Sequence, residues 1–259
     1  MVKSDKDQGR DSHEKRKEQA TQGEVRALHS PPGVLARLGL GKTSFPAEAS
    51  QDQLKTGLAD PVWSVRVAAL QALASRGEPV PLELLVPALE DENGWVRAAA
   101  VRAVGAFKEQ ASVDRLVIAL HDGKWSVRAA AALALGALGE WAPVEPLLMA
   151  LRDDEDESVR VAAVAALGML KEWVPVEAVV GALGDCQWRV REMAVLVLGE
   201  MGERVPVEPL VSVLRDDIDR PVCEAARRVL KQTHPGVFST LPPDSKSLGG
   251  GDTDRGEKA

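Results

Sequence analysis

The sequence contains no tyrosine, and aromatic residues make up only 3% of its 259 residues. Two cysteines and four histidines leave few side chains for redox chemistry, metal binding or proton transfer. No apolar run approaches the ~20 residues that a helix needs to span a bilayer. The charged N-terminal segment also lacks the apolar stretch of a secretory signal. These deficits predict a cytoplasmic protein without a cofactor, and they argue against an enzyme and a membrane protein.

A basic surface is missing as well. The net charge is -7, whereas proteins that bind nucleic acids or anionic membranes generally carry a basic face. We therefore expect neither partner. The two cysteines, Cys186 and Cys223, are too far apart in sequence for a metal motif. Reduced thiols are the expectation, and a disulfide between neighbouring repeats is the alternative.

Five times a Val-Arg pair follows an acidic turn, and the intervals between these arginines are 31, 31, 32 and 31 residues. An aspartate stands six residues before each arginine. A sixth copy keeps Asp217 but has Cys223 in place of the arginine. The paired positions are Asp60 and Arg66, Asp91 and Arg97, Asp122 and Arg128, Asp154 and Arg160, and Asp185 and Arg191. A period in the low thirties predicts a stacked solenoid, because one such unit cannot bury its own apolar face.

Each copy is predicted to contain two helices. The first helix begins with a proline at its first helical position, as at Pro175, and the second is capped by the recurring aspartate, with Pro61 one residue inside. Apolar residues at spacings of three and four place one face of the second helix in the core. Glycines near the end of that helix indicate close contact with the next unit, since mid-helix glycine costs about 1 kcal/mol relative to alanine. These glycines are Gly105, Gly136, Gly168 and Gly199.

The predicted fold is an all-α solenoid of about six helical hairpins in residues 46–232. Residues 1–45 form a charged segment with the composition of a disordered region, in which Ser30–Phe45 is a short cap or a linker. Residues 233–259 form a polar, Gly-rich tail of similar character.

The string from Asp122 to Gly139, DGKWSVRAAAALALGALG, resembles a HEAT repeat. More narrowly, it is similar to the bacterial HEAT-like repeat named after phycobilisome lyases. This resemblance implies an armadillo-like helical superhelix with first helices on the convex side and second helices lining a concave groove. It also implies that the recurring aspartates and arginines form a ladder between units. Such repeats mostly serve as protein-interaction scaffolds.

Four tryptophans are candidates for an interaction rim. Trp63, Trp125 and Trp188 stand three residues before the arginine, and Trp95 stands one residue later in its own unit. Exposed indoles are frequent anchors of interfaces, although each indole could instead cover a helix end. We expect the second reading for Trp141 and Trp173, which match each other in the opposite turn.

The second helices also supply candidate groove residues. Positions one and five residues after the arginine are predicted to face the groove, and they include Arg102, Leu133 and Leu196. A contiguous exposed apolar surface is typical of a partner site. The alternative is a slightly different helix rotation that places some of these residues in the core.

Two apparent ligand motifs have simpler explanations. The acidic run 153–157 lacks the alternating ligands and turn glycine of a calcium loop, and carboxylates at a helix start are stabilised by its dipole. Residues 36–43 fit a relaxed phosphate-loop pattern, but no strand precedes them. We expect neither a metal nor a nucleotide.

Enzymes with similar repeats provide the remaining alternatives. Deoxyhypusine hydroxylases carry several His-Glu pairs as iron ligands, whereas only His13 precedes a glutamate here, so that activity is not expected. A phycobilin lyase-like or chaperone-like subunit stays open, and DNA binding is disfavoured by the acidic charge. The sequence predicts a non-catalytic bacterial scaffold, expected to be a monomer, that binds another protein whose identity it does not reveal.

Overall fold

The computed structural model describes residues 49–76, 81–108, 111–204 and 206–241. Within these ranges every regular element is a helix, as the all-α prediction requires. The predicted N-terminal segment 1–45, the phosphate-loop pattern at 36–43 and most of the tail lie outside the described residues. Contacts divide the chain into two compact units, Met1–Leu170 and Lys171–Ala259.

Unit 1 contains four helical hairpins. Their first helices are α1 (Gln51–Leu58), α3 (Val86–Leu89, preceded by a 3-10 turn at Leu82–Leu84), α5 (Val113–Ala119) and α7 (Val144–Asp153). Their second helices are α2 (Trp63–Arg76), α4 (Gly94–Ala106), α6 (Trp125–Ala137) and α8 (Glu157–Met169). Each first helix packs on the second helix of its hairpin, and α2, α4, α6 and α8 pack side by side in chain order.

Unit 2 contains two hairpins and one additional helical turn. The first hairpin is α9 (Val176–Gly181), extended by a 3-10 turn at Ala182–Gly184, with α10 (Trp188–Met201). The second is α11 (Val207–Asp216) with α12 (Arg220–Thr233). Helix α10 packs on α12, and a short helix α13 (Pro235–Phe238) packs on the end of α12. The described structure therefore continues a few residues beyond position 232, the predicted end of the solenoid.

Alanine at one register lets the second helices pack closely. The residue three positions after each ladder arginine, or after Cys223, is alanine with 0% exposure: Ala69, Ala100, Ala131, Ala163, Ala194 and Ala226. Four residues further, large side chains such as Leu135, Leu167 and Leu198 are also fully buried. This spacing forms a continuous apolar face on each helix, and burying such side chains is worth roughly 1.5–3 kcal/mol each.

The recurrent glycines Gly105, Gly136 and Gly199 lie against the next second helix, as their position in the sequence indicates, and the first two face its backbone. A Cβ added at Gly105 would lie 2.6 Å from Ala134 Cβ, and one added at Gly136 would lie 2.7 Å from Ala166 Cα. In unit 2, a Cβ at Gly199 would lie 2.8 Å from Val229 Cγ2. Glycine is therefore required at these positions by the close approach of the next second helix.

Two details of the predicted helix starts are wrong by one or two residues. Pro143, Pro175 and Pro206 are N-cap residues with extended ψ values of 120°, 128° and 134°, rather than first helical residues. Pro61 lies in the turn before α2, which begins at Trp63. The ladder aspartates also precede the caps: α4 is capped by Asn93, two residues after Asp91. Asp91 is not the cap because its side chain accepts the Asn93 N–H and so closes the turn that precedes the helix.

No helix among the described residues combines the length and apolar character needed to cross a membrane.

Candidate protein-interaction surface

Along the starts of the second helices, Arg66, Arg97, Arg128 and Arg191 each bind the aspartate of the following repeat within their own unit. In unit 1 the Nε atoms of Arg66, Arg97 and Arg128 lie 2.7 Å from an Oδ2 atom of Asp91, Asp122 and Asp154, respectively. Nη2 donates to the second carboxylate oxygen at 2.8–2.9 Å, so each pair is bidentate. In unit 2, Arg191 binds Asp217 and Asp219, each at 2.7 Å. We call this series the ladder.

The same side chains also organise their own turns. Oδ1 of each aspartate accepts the backbone N–H two residues later, as in Asp122 with Lys124 at 2.8 Å. Nη1 of each arginine donates to the carbonyl of its own repeat's aspartate, and for Arg160 this distance to Asp154 is 2.9 Å. In Asp185 the Oδ1 atom accepts from Gln187 N–H at 2.8 Å. No buried side-chain nitrogen or oxygen lacks a hydrogen bond in the described part of the chain, so the ladder is fully satisfied.

In the sixth repeat, Cys223 takes the place of the arginine. Its thiol donates to the carbonyl of Asp217 at 3.4 Å, the backbone acceptor that an arginine uses in the other repeats. Cys186 and Cys223 are not joined by a disulfide. A terminal repeat has no following aspartate to bind, and terminal units of solenoids are commonly atypical.

The ladder makes stability sensitive to acid. The pKa of the Asp122 carboxyl is lowered, chiefly by hydrogen bonds from Arg97, although burial opposes this. For Asp91, burial is the largest single influence and raises the pKa, but the hydrogen bonds from Arg66 and from the Asn93 backbone outweigh it, so the pKa is again lowered. A carboxyl with a lowered folded-state pKa stabilises the protein above its unfolded pKa, about 3.9, and this stabilisation is lost as the pH falls through the folded pKa.

We therefore expect Asp122→Asn to destabilise the protein at pH 7 and to have a progressively smaller effect between about pH 5 and pH 3. Asparagine keeps one oxygen for the Lys124 N–H, so the turn retains its acceptor while the charge and the acceptor of Arg97 Nε are lost. Urea unfolding of both proteins across this pH range measures the difference in unfolding free energy. A difference that stays constant with pH would contradict the assignment.

The four rim tryptophans all lie at the starts of second helices. Trp63, Trp125 and Trp188 are the first residues of α2, α6 and α10, and each is half-buried. Trp95 is the second residue of α4 and is 37% exposed. The guanidinium of Arg189 stacks on Trp188, 5.2 Å from the ring centroid, and so shields part of that indole.

Trp141 and Trp173 are more exposed than the rim tryptophans. Their exposed fractions are 54% and 53%, although the sequence pattern suggests that they cover helix ends. Trp141 ends a 3-10 turn at Gly139–Trp141, in which Gly139 has a φ of 62°. The exposure of an indole depends on its spatial neighbours, which the repeat pattern does not specify.

The predicted groove positions divide into two sets in unit 1. One residue after the arginine, Val67, Ala98 and Ala129 are core residues with 5%, 1% and 0% exposure, whereas Val161 on α8 is half-buried. Five residues after it, the side chains reach solvent: Gln71 and Arg102 are exposed, and Leu133 and Ala165 are half-buried. We call these four residues the second-helix row. In unit 2, Leu196 occupies the same register and is also half-buried.

Arg102 is the only charged residue at positions one, five and nine after the arginine on α2, α4, α6 and α8. The other positions hold small or apolar side chains and two neutral polar ones, and they include Met169, which is 54% exposed. Arg102 itself is solvent-exposed, yet enough protein surrounds its guanidinium for burial to lower its pKa.

The acidic run at 153–157 serves the helix start and the ladder. Asp154 binds Arg128, and Asp156 caps α8 by accepting the Ser158 N–H at 2.8 Å. Glu155 is 92% exposed. The described residues contain no group of three or more His, Cys, Asp or Glu side chains that could hold a metal ion.

Stacked helical hairpins, joined by a repeated ion-pair ladder and exposing one register of their second helices, define an α-solenoid repeat protein. The family of HEAT repeats matches residues 51–136, 82–167 and 144–231, which together span most of the chain. The chain therefore belongs to the HEAT-repeat family, as the sequence predicts.

Several solved structures are similar to this chain. An engineered protein is 22% identical, covering 71% of this chain and 96% of its own, with a TM-score of 0.48. The complex of CpcE and CpcF of phycocyanin lyase from Nostoc sp. PCC7120 is 22% identical over 63% of this chain and 98% of that chain, with a TM-score of 0.47. A designed armadillo repeat protein in complex with the peptide (KR)4 is 20% identical over 71% and 99%, with a TM-score of 0.49. No curated protein matches the chain.

Proposed function

We propose that this protein is a non-catalytic scaffold that binds another protein through its second helices. The observation that carries the proposal is the near absence of charge at the solvent-facing positions of these helices in unit 1. Charged residues make up 27% of the sequence, yet Arg102 is the only one at the positions five and nine residues after the ladder arginines of unit 1. Isolated exposed apolar residues are ordinary, but a recurrent set on neighbouring helices is typical of a partner site. Trp95 and the half-buried tryptophans at the helix starts would extend that site with aromatic anchors.

Affinity capture with the full chain as bait tests the proposal. We expect Leu133→Glu and Ala165→Glu to lose at least one protein that the wild type captures, because each places a charge in the second-helix row. The control is Ile118→Glu on the first helix α5, where the native side chain is 65% exposed. Circular dichroism verifies that each variant is folded. If Leu133→Glu does not fold, Ala165→Glu still tests the surface. If the Leu133→Glu and Ala165→Glu variants capture the same proteins as the wild type, this surface is not the binding site.

The rim is tested by the same capture. We expect Trp95→Ala, combined with alanine at Trp63 and Trp125, to weaken capture of the same protein. Trp141→Ala is the matched control, because that indole is exposed but lies outside the starts of the second helices. Equal recovery with all these variants would remove the tryptophans from the proposed site.

The alternative is a phycobilin lyase-like or chaperone-like role, which rests on the resemblance of the repeats. Incubation of the protein with a bilin and a pigment-binding acceptor protein separates the two functions. Covalent attachment of the pigment to the acceptor protein would contradict the scaffold proposal and support the lyase-like role. A scaffold leaves the acceptor unmodified and acts, as we propose, in the bacterial cytoplasm.

A further inference from the structure

Arg102 differs from the other arginines of the second helices in unit 1 because it has no partner among the described residues. Arg66, Arg97 and Arg128 bind carboxylates, and the buried Arg160 donates to the carbonyls of Asp154 and Glu155. Arg102 makes no hydrogen bond or ion pair with the described residues, while the surrounding protein partly desolvates it. A partly desolvated cation is stabilised by an incoming anion with matching geometry.

The positions that match Arg102 on the neighbouring second helices of unit 1 carry no charge. Its neighbours in the second-helix row are Gln71 on α2 and Leu133 on α6, and Ala106 lies one helical turn further along α4. The nearest ladder arginine on its own helix, Arg97, is neutralised by Asp122. An anion would therefore meet one available cation and no carboxylate in these registers. The net charge of -7 is spread over the whole chain, and repulsion beyond about 10 Å is screened by salt.

The number of cations selects the type of anion. Phosphorylated segments are generally recognised by clusters of arginines, whereas one planar guanidinium matches one carboxylate in a bidentate pair. Arg102 is the single charged residue at the three registers compared on α2, α4, α6 and α8. One guanidinium therefore fits the carboxylate of one Asp or Glu side chain.

The distance between neighbouring second helices sets the spacing of the other contacts that a bound segment would make. Neighbouring helices pack about 8–10 Å apart, and an extended chain advances about 3.3 Å per residue. One repeat therefore corresponds to about three residues of an extended segment. If a carboxylate pairs with Arg102, the third residue towards α6 lies over Leu133, where an aliphatic side chain is favoured.

We propose that the second-helix row binds an extended segment of a partner protein, with one Asp or Glu side chain paired to Arg102 and an aliphatic side chain about three residues away over Leu133. This inference rests on the scaffold function proposed above and specifies the chemistry of the partner.

Selection from a library of displayed random dodecapeptides, with the full chain as the immobilised target, tests this inference. We expect enriched peptides to share an acidic residue and an aliphatic residue about three positions apart. A synthetic peptide from the selection should bind Arg102→Ala about tenfold more weakly or worse, because a hydrogen-bonded charge pair is lost. Arg102→Glu should instead enrich peptides with Lys or Arg at the acidic position. Arg115→Ala, at an exposed arginine on α5, should bind like the wild type.

The outcomes separate the two proposals. Peptides that bind the second-helix row but lack the acidic residue, or that bind Arg102→Ala and Arg102→Glu as well as the wild type, would overturn the carboxylate pairing alone. A selection that enriches no peptide would overturn the pairing, while loss of a captured protein by Ala165→Glu would still support the scaffold. Failure of both experiments would overturn the scaffold as well.

Discussion

Replacing Asp154 with alanine is expected to lower the free energy of unfolding by about 3–5 kcal/mol. The substitution leaves the guanidinium of Arg128 without its bidentate partner at a site where the two side chains are only 11% and 9% exposed. It also removes the acceptor of the Asp156 N–H, which shapes the turn into α8. A buried charge that loses its partner costs more than the intact pair contributes, because its desolvation is no longer offset. Urea unfolding followed by circular dichroism measures the loss.

The adjacent residue provides a matched control. Asp153 pairs with Arg152 on the surface, where these side chains are 58% and 67% exposed, so Asp153→Ala should leave stability nearly unchanged. Adding Arg128→Met to Asp154→Ala should recover part of the loss, since it removes the uncompensated charge. If Asp153→Ala and Asp154→Ala had equal effects, the ladder would have no special role in stability.

The fold was predictable because each structural contact recurs in the sequence. The interval between Arg66, Arg97 and Arg128 gives the number of residues in one repeat. Gly105 and Gly136 indicate where the backbone of the next second helix comes close. The helix starts were less predictable. A short turn can be closed by a proline N-cap or by an aspartate that accepts the N–H two residues later, and both leave the same residue pattern as a conventional cap.

The candidate surface was only partly predictable. Positions one and five residues after the arginine differ by about 40° around a helix, and on α2, α4 and α6 the boundary of the core falls between them. Ala129 is buried and Leu133 is half-buried for this reason. The lack of a partner for Arg102 depends on which side chains come near it in space, so the structure was needed to reveal it. A sequence signal for Arg102 did exist, as it is the only charge at its register in unit 1.

The ladder and the glycines act at opposite ends of the same helices. Arg128 joins α6 to the turn before α8 near the start of α6, and Gly136 brings α6 against Ala166 near its end. Leu133 lies between these two points, so its position relative to Arg102 and Ala165 is held at both ends of the helix. A surface held in this way loses little conformational entropy when a partner binds, which favours affinity.

Replacing Gly136 with alanine should therefore destabilise the protein, although alanine is the better helix former by about 1 kcal/mol. The new Cβ would lie 2.7 Å from Ala166 Cα and 2.8 Å from Ala166 Cβ, and helix α8 would have to move away. Overpacking of this kind costs typically 1–3 kcal/mol, and here the obstacle is backbone, which cannot rotate aside.

Gly181 at the end of α9 is the matched control, because nothing lies within 4 Å of an added Cβ there. Gly181→Ala should leave stability unchanged or raise it by up to about 1 kcal/mol. The two variants thus have opposite expected signs in the same urea experiment. An increase in stability with Gly136→Ala would show that α6 and α8 can separate freely, and it would remove the physical basis for a second-helix row held in place.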